Sequence, residues 1–107
     1  MPHPASLVSR GFQSFMTDAP NHAQAWATLV QGLAGASALD KKTAALAYLA
    51  VLAALRLESG VPFHVQVAKQ LGASRDEIVS AVLVGLPAAG HGVTQVLPGA
   101  LEAYDSP

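Results

Sequence analysis

The sequence predicts an all-α fold of about six helices, and three features carry that expectation. Apolar residues recur at intervals of three and four rather than two. Alanine and leucine, both strong helix formers, dominate those positions. Serine, aspartate, proline and glycine fall where helices start and stop. A chain of 107 residues can bury one compact core but not two independent ones, so a single domain over residues 1–107 is expected.

The first helix is expected from Ala5 to Met16, with Val8, Phe12, Phe15 and Met16 on one side and Asp18 and Pro20 at its end. An aspartate shortly before a first-turn proline also opens a helix, and Ala23, Trp26, Val30 and Leu33 then form an apolar stripe. Trp26 is expected to anchor the core. After a loop from Gly35 to Leu39, Asp40 caps a third helix from Lys41 to Glu58. That helix is apolar nearly all round, which places it at the centre of the domain or across a subunit contact. Gly60 and Pro62 stop it. A fourth helix, Val61 to Leu71, puts Val61, His64, Val65, Ala68 and Leu71 on one face, and Gly72 ends it. Ser74-Arg75-Asp76-Glu77 is a capping box that starts a fifth helix carrying Ile78, Val79, Val82, Leu83 and Leu86. Pro87 is expected to break that helix before a Gly90-His91-Gly92 loop. The last helix covers about Thr94 to Tyr104, with Leu97, Leu101 and Tyr104 spaced for burial and Pro98 marking a kink or a late start.

Composition narrows the function classes. Apolar residues make up 51% of the chain and charged ones 12%, about half the roughly 25% of an ordinary soluble domain. So few charges leave apolar surface to be covered, and a homo-oligomer is expected. The net charge is −1 and the only adjacent basic pair is Lys41-Lys42, which argues against nucleic acid. The longest apolar run, Ala44 to Leu55, falls well short of the roughly 20 residues needed to cross a bilayer, so no membrane partner is expected. No basic segment precedes an apolar one at the N-terminus and there is no cysteine, so a cytoplasmic location is expected.

Leu39-Asp40-Lys41-Lys42-Thr43, an alanine-rich helix, a short break, Pro62-Phe63-His64, and then Leu71-Gly72-Ala73-Ser74-Arg75-Asp76-Glu77-Ile78 follow in order. This segment resembles the carboxymuconolactone decarboxylase superfamily, which includes the alkylhydroperoxidase D-like proteins, and the likeness extends from about Asp18 to Tyr104. In the redox members a glutamate precedes the buried helix, a C-x-x-C pair sits at the helix break, and a histidine follows four residues after the second cysteine. Carried onto this chain, the histidine falls on His64, the second cysteine on Gly60, the first on Leu57 and the glutamate on Ala45. Only the histidine remains. Thiol catalysis needs a thiolate that neither glycine nor leucine supplies, so peroxidase activity by the family route is excluded. The resemblance also implies a helical subunit that assembles into trimers or hexamers.

His64 is the leading candidate site residue. It lies within a turn of a helix start, where the positive end of the helix dipole disfavours imidazolium and suits a role as acceptor or base. The competing reading is a packed core histidine on an apolar helix face. His91 is second, because flanking glycines let a backbone approach a ligand; its plain reading is an exposed turn. Arg56 and Glu58, beside the helix break, would add an anion clamp and a carboxylate, or are simply solvated. His22, His64 and His91 show no metal-ligand spacing, so no metal is expected. The serines sit in no nucleophile elbow, and Gly90-x-Gly92 lacks the third glycine and preceding strand of a dinucleotide motif, so no cofactor is expected.

Two function classes remain. One is a non-redox oligomeric helical module with a binding or structural role. The other is a cofactor-free decarboxylase- or isomerase-type enzyme acting on a small carboxylate or lactone, with His64 as base and Arg56 or His91 assisting. A third arrangement would set His64 beside a cysteine supplied by a partner chain. The first two differ in whether His64 borders a solvent-reachable pocket with converging polar groups.

Overall fold

The computed structural model describes residues 7–107, so Ala5 and Ser6 of the expected first helix lie outside the described residues. Six helices of nine to seventeen residues form the architecture: α1 (Arg10–Asp18), α2 (Pro20–Ala36), α3 (Lys41–Leu55), α4 (Val61–Gln70), α5 (Arg75–Leu83) and, after a four-residue α6 (Leu86–Ala89), α7 (Leu97–Asp105). Short 3-10 segments at Glu58–Gly60 and His91–Val96 join them.

Local chemistry accounts for most of the boundaries. Ser9 caps α1 by accepting the Phe12 N–H at 3.2 Å, which places the start of α1 at Arg10. Asp40 caps α3 twice, accepting the Thr43 N–H at 2.8 Å and the Thr43 hydroxyl at 3.0 Å. The capping box forms as expected, with Ser74 Oγ accepting the Glu77 N–H at 3.1 Å and Glu77 Oε1 accepting the Ser74 N–H at 2.9 Å.

Three boundaries differ from expectation. Helix α3 stops at Leu55 rather than Glu58, because Arg56 adopts the left-handed conformation (φ 54°, ψ 41°). The Leu57 N–H then reaches back to the Leu52 carbonyl at 2.9 Å and the Arg56 N–H to that of Ala53 at 3.1 Å. This is the double bond pattern that glycine usually supports at a helix end, built here on an arginine. Pro87 opens α6 instead of breaking α5, which ends at Leu83, whereas Pro98 lies in the first turn of α7, the late start of the two expected alternatives. A first-turn proline loses no helical hydrogen bond, so a start is the less costly use of both residues. His91 begins a 3-10 segment rather than lying in an irregular loop.

Helix α3 is central to the body of the fold. Its inner face (Leu49, Leu52, Ala53) meets Val61, Val65 and Ala68 of α4 and Ile78 and Val82 of α5, with Val93, Val96 and Ala100 completing the core. Helix α7 closes the far side and is tied to α4 by polar contacts. Tyr104 Oη donates to the Ala73 carbonyl at 2.9 Å, Lys69 Nζ donates to the Tyr104 carbonyl at 2.7 Å, and buried Gln66 Nε2 donates to the Ala103 carbonyl. No helix among the described residues is long and apolar enough to cross a membrane.

Helices α1 and α2 pack chiefly on each other, not on this body. Phe12 and Phe15 meet Trp26 edge-on, with ring centroids 5.2 and 6.2 Å apart. Trp26 therefore holds the α1–α2 hairpin together, remains 40% exposed, and does not anchor the main core as expected. Helix α3 is likewise covered on one side only, since Tyr48, Val51 and Leu55 stand exposed on its outer face.

The left-handed arginine supplies a stability test. A non-glycine residue in this conformation costs about 1–2 kcal/mol, so Arg56→Gly is expected to raise unfolding stability by about 1 kcal/mol once lost side-chain packing is allowed for. Urea denaturation of the two proteins measures it.

Candidate functional site

His64 is the fourth residue of α4, and that helix starts where it does because Pro62 sits in its first turn after the Glu58–Gly60 segment. The imidazole is half-buried. It lies against the Tyr48 ring from α3, with centroids 4.6 Å apart and planes inclined by 49°, and meets its neighbour Phe63 edge-on at 5.1 Å. Among the described residues neither ring nitrogen takes part in a hydrogen bond. Burial beside these rings pushes the His64 pKa below its ordinary 6.5. The group is thus a mostly neutral imidazole at pH 7, with no hydrogen-bond partner among the described residues and a tyrosine beside it.

Sequence reasoning missed Tyr48. It is the one side chain with a polar atom in the run from Ala44 to Leu55, and that exception was the available signal.

Arg56 lies elsewhere, against the segment that begins at His91. The Arg56 side chain lies across Gly92, so close that a Cβ on that glycine would stand 3.1 Å from Cδ and 3.6 Å from Nε of the arginine. A larger residue at Gly92 would have to push the exposed Arg56 side chain aside by a few tenths of an ångström. His91 itself is exposed, and its carbonyl accepts the Thr94 hydroxyl at 2.7 Å. Glu58 is exposed at the start of its 3-10 turn and forms no ion pair among the described residues. No hydrogen bond, ion pair or ring contact among the described residues joins Arg56, Glu58 or His91 to His64.

The surface also carries an open apolar groove between α3 and α5. Thr43, Leu46, Ala47 and Ala50 line one side and Glu77, Ser80, Ala81 and Val84 the other. An ion pair between Lys42 and Glu77, at 2.9 Å, spans its head. No group of three or more potential metal ligands occurs among the described residues.

The sequence profile of the Carboxymuconolactone decarboxylase family matches residues 20–103. The chain belongs to that family. A crystal structure of an apo carboxymuconolactone decarboxylase family protein from Legionella pneumophila is similar to it, with a TM-score of 0.79 and 24% identity over 95% of this chain and 94% of that one. At that identity the likeness establishes the fold, the alkylhydroperoxidase D-like helical bundle. No curated protein gives a significant match.

The resemblance would put the thiol pair of the redox members at Leu57 and Gly60, neither of which carries a thiol. Leu57 is half-exposed, and a Cβ on Gly60 would meet Leu52 Cδ2 at 3.7 Å, an ordinary packing distance. Ala45, at the glutamate position, packs partly against the core.

The depressed pKa of His64 makes stability depend on pH in a definite direction. The unfolded chain takes up this proton near 6.5, whereas the folded chain resists until a lower pH. The contribution is therefore complete above 6.5 and is lost as pH falls from there toward the folded value. Urea midpoints at pH 7.5 and 5.5 should fall more for the wild type than for His64→Gln, and equal losses would show that His64 is not desolvated.

Proposed function

We propose that this chain is a non-redox member of its family, working in the cytoplasm as an oligomeric helical module with a binding or structural role. The observation that carries the reading is the absence of a thiol at the helix break. Leu57 and Gly60 stand where the redox relatives place thiols, and Leu52 packs against Gly60. Neither leucine nor glycine supplies a nucleophile in place of the missing thiolate. Self-association is supported by the bare apolar surface of the single chain, which has only 12% charged residues with which to cover itself. The purified protein should consume no alkyl hydroperoxide above background when supplied with a dithiol reductant. Light scattering after size exclusion should give a mass of several 10.9 kDa chains, three or six by the family likeness. Measurable turnover would overturn the first half of the reading, and a single-chain mass the second.

One observation favours a second reading as a cofactor-free decarboxylase- or isomerase-type enzyme on a small carboxylate or lactone. His64 has a lowered pKa, lacks a hydrogen-bond partner among the described residues and lies against Tyr48, which suits a base that takes a proton from carbon next to a carbonyl. In D₂O such an enzyme would exchange that proton of a small lactone for deuterium, and His64→Gln would slow exchange by about 10²-fold or more. A rate unchanged by the substitution removes His64 as the base.

A further inference from the structure

We infer that helix α2 of a second copy lies over the outer face of α3, in the groove between α3 and α5, and that the Tyr48–His64 pair stands at the rim of that contact, with its walls completed by the partner copy. The inference rests on the oligomeric reading above and names the surfaces involved.

Helix α2 cannot remain bare. Its seventeen residues include no charged side chain and bury only Ala23. Trp26, Leu29, Val30 and Leu33 form one stripe at i, i+3, i+4 and i+7, and Leu29 and Leu33 are 59% and 62% exposed. Helix α1 covers the first half of the stripe through Phe12 and Phe15, while in the second half Leu29 and Leu33 stay largely exposed. A largely exposed helix without charge gains most of its stability only when its apolar face is buried.

The groove is the complementary surface. Its two walls repeat the same i, i+3, i+4, i+7 spacing, so groove and stripe each run for about 10 Å along their helices. Small side chains (Ala47, Ala50, Ser80, Ala81) form its floor, and large side chains on α2 supply the ridge that such a furrow accepts. Its only charge, Glu77, is already paired with Lys42 at the head, which leaves an uncharged furrow for an uncharged helix. The large apolar side chains exposed on α2, on the outer face of α3 and at Val84 amount to on the order of 800 Å², the share each partner contributes to a standard interface.

The apolar layer is continuous with the histidine. From Ala47 and Ala50 the outer face of α3 passes through Val51 and Leu55 to Tyr48, whose ring meets His64. Stripe and groove are different patches, so copies either exchange hairpins in pairs or pass them round a closed ring.

The absence of cysteine provides a clean test on the full chain. The double variant Leu33→Cys/Ala50→Cys, treated with a short bis-maleimide, should give covalent multimers on a denaturing gel, while each single variant stays at 10.9 kDa. Ala50→Glu and Leu33→Glu, each checked for helicity by circular dichroism, should reduce the native mass to that of one chain. A wild-type oligomer whose mass survives both glutamates, or a double variant linked only within its own chain, overturns this contact and leaves self-association standing. A wild type that is itself monomeric overturns both.

Discussion

Between Lys42 and Arg56 helix α3 carries no charge, and the rest of the molecule is arranged around that fact. A helix so rich in alanine forms readily, because alanine loses no side-chain entropy on becoming helical. It has, however, no polar face to offer to water. The body of the fold solves half of the problem by packing α4 and α5 on the side of Leu49, Leu52 and Ala53. The other half, with Tyr48, Val51 and Leu55, is left uncovered by its own chain. Burial of the inner face fixes where α4 lies, and the outer face fixes what His64 meets when α4 is in place.

The position of α4 is held from the far side as well. Gln66 and Lys69 donate to the carbonyls of Ala103 and Tyr104, in the last turn of α7, where helical carbonyls have no intrahelical partner. A lysine at that end also faces the negative pole of the helix, and its Nζ lies 4.8 Å from the Tyr104 ring centroid. One atom is left over, since buried Gln66 Oε1 has no hydrogen-bond partner among the described residues. These bonds make α4 and α7 one unit, so the orientation of His64 is set by contacts on the opposite side of its own helix. By comparison, the Arg75–Asp105 ion pair links the same region at an exposed site, where such pairs contribute about 0–1 kcal/mol.

Features of the sequence that act within a few residues were legible, and those that act across the chain were not. Ser74 to Glu77 and Asp40 set helix starts because a cap needs only its own first turn. Arg56 escaped notice because a left-handed helix end normally announces itself as glycine, as Gly72 does after α4, whereas an arginine carries no such mark. Pro87 and Pro98 were ambiguous because proline both ends and begins helices, and tertiary packing decided which. Trp26 was misplaced for a related reason. Its stripe identified a buried face but could not say that the cover would be α1 rather than the core. Tyr48 was visible only as the odd residue in an aliphatic run, and its meeting with His64 depends on the α3–α4 crossing that periodicity does not encode.

Family membership and the missing thiols separate two things that the redox relatives combine. With Leu57 and Gly60 at the helix break, no thiolate is present to tune or to be tuned by the histidine. His64 nevertheless has a lowered pKa, and the cause is burial alone. The lowered pKa therefore follows from where α4 sets the ring and needs no neighbouring thiol. A role that needs only a neutral nitrogen does not depend on cysteine, whereas thiol chemistry does. Any surface that covers the outer face of α3 removes further water from the same ring, and so strengthens the one electrostatic feature the site retains.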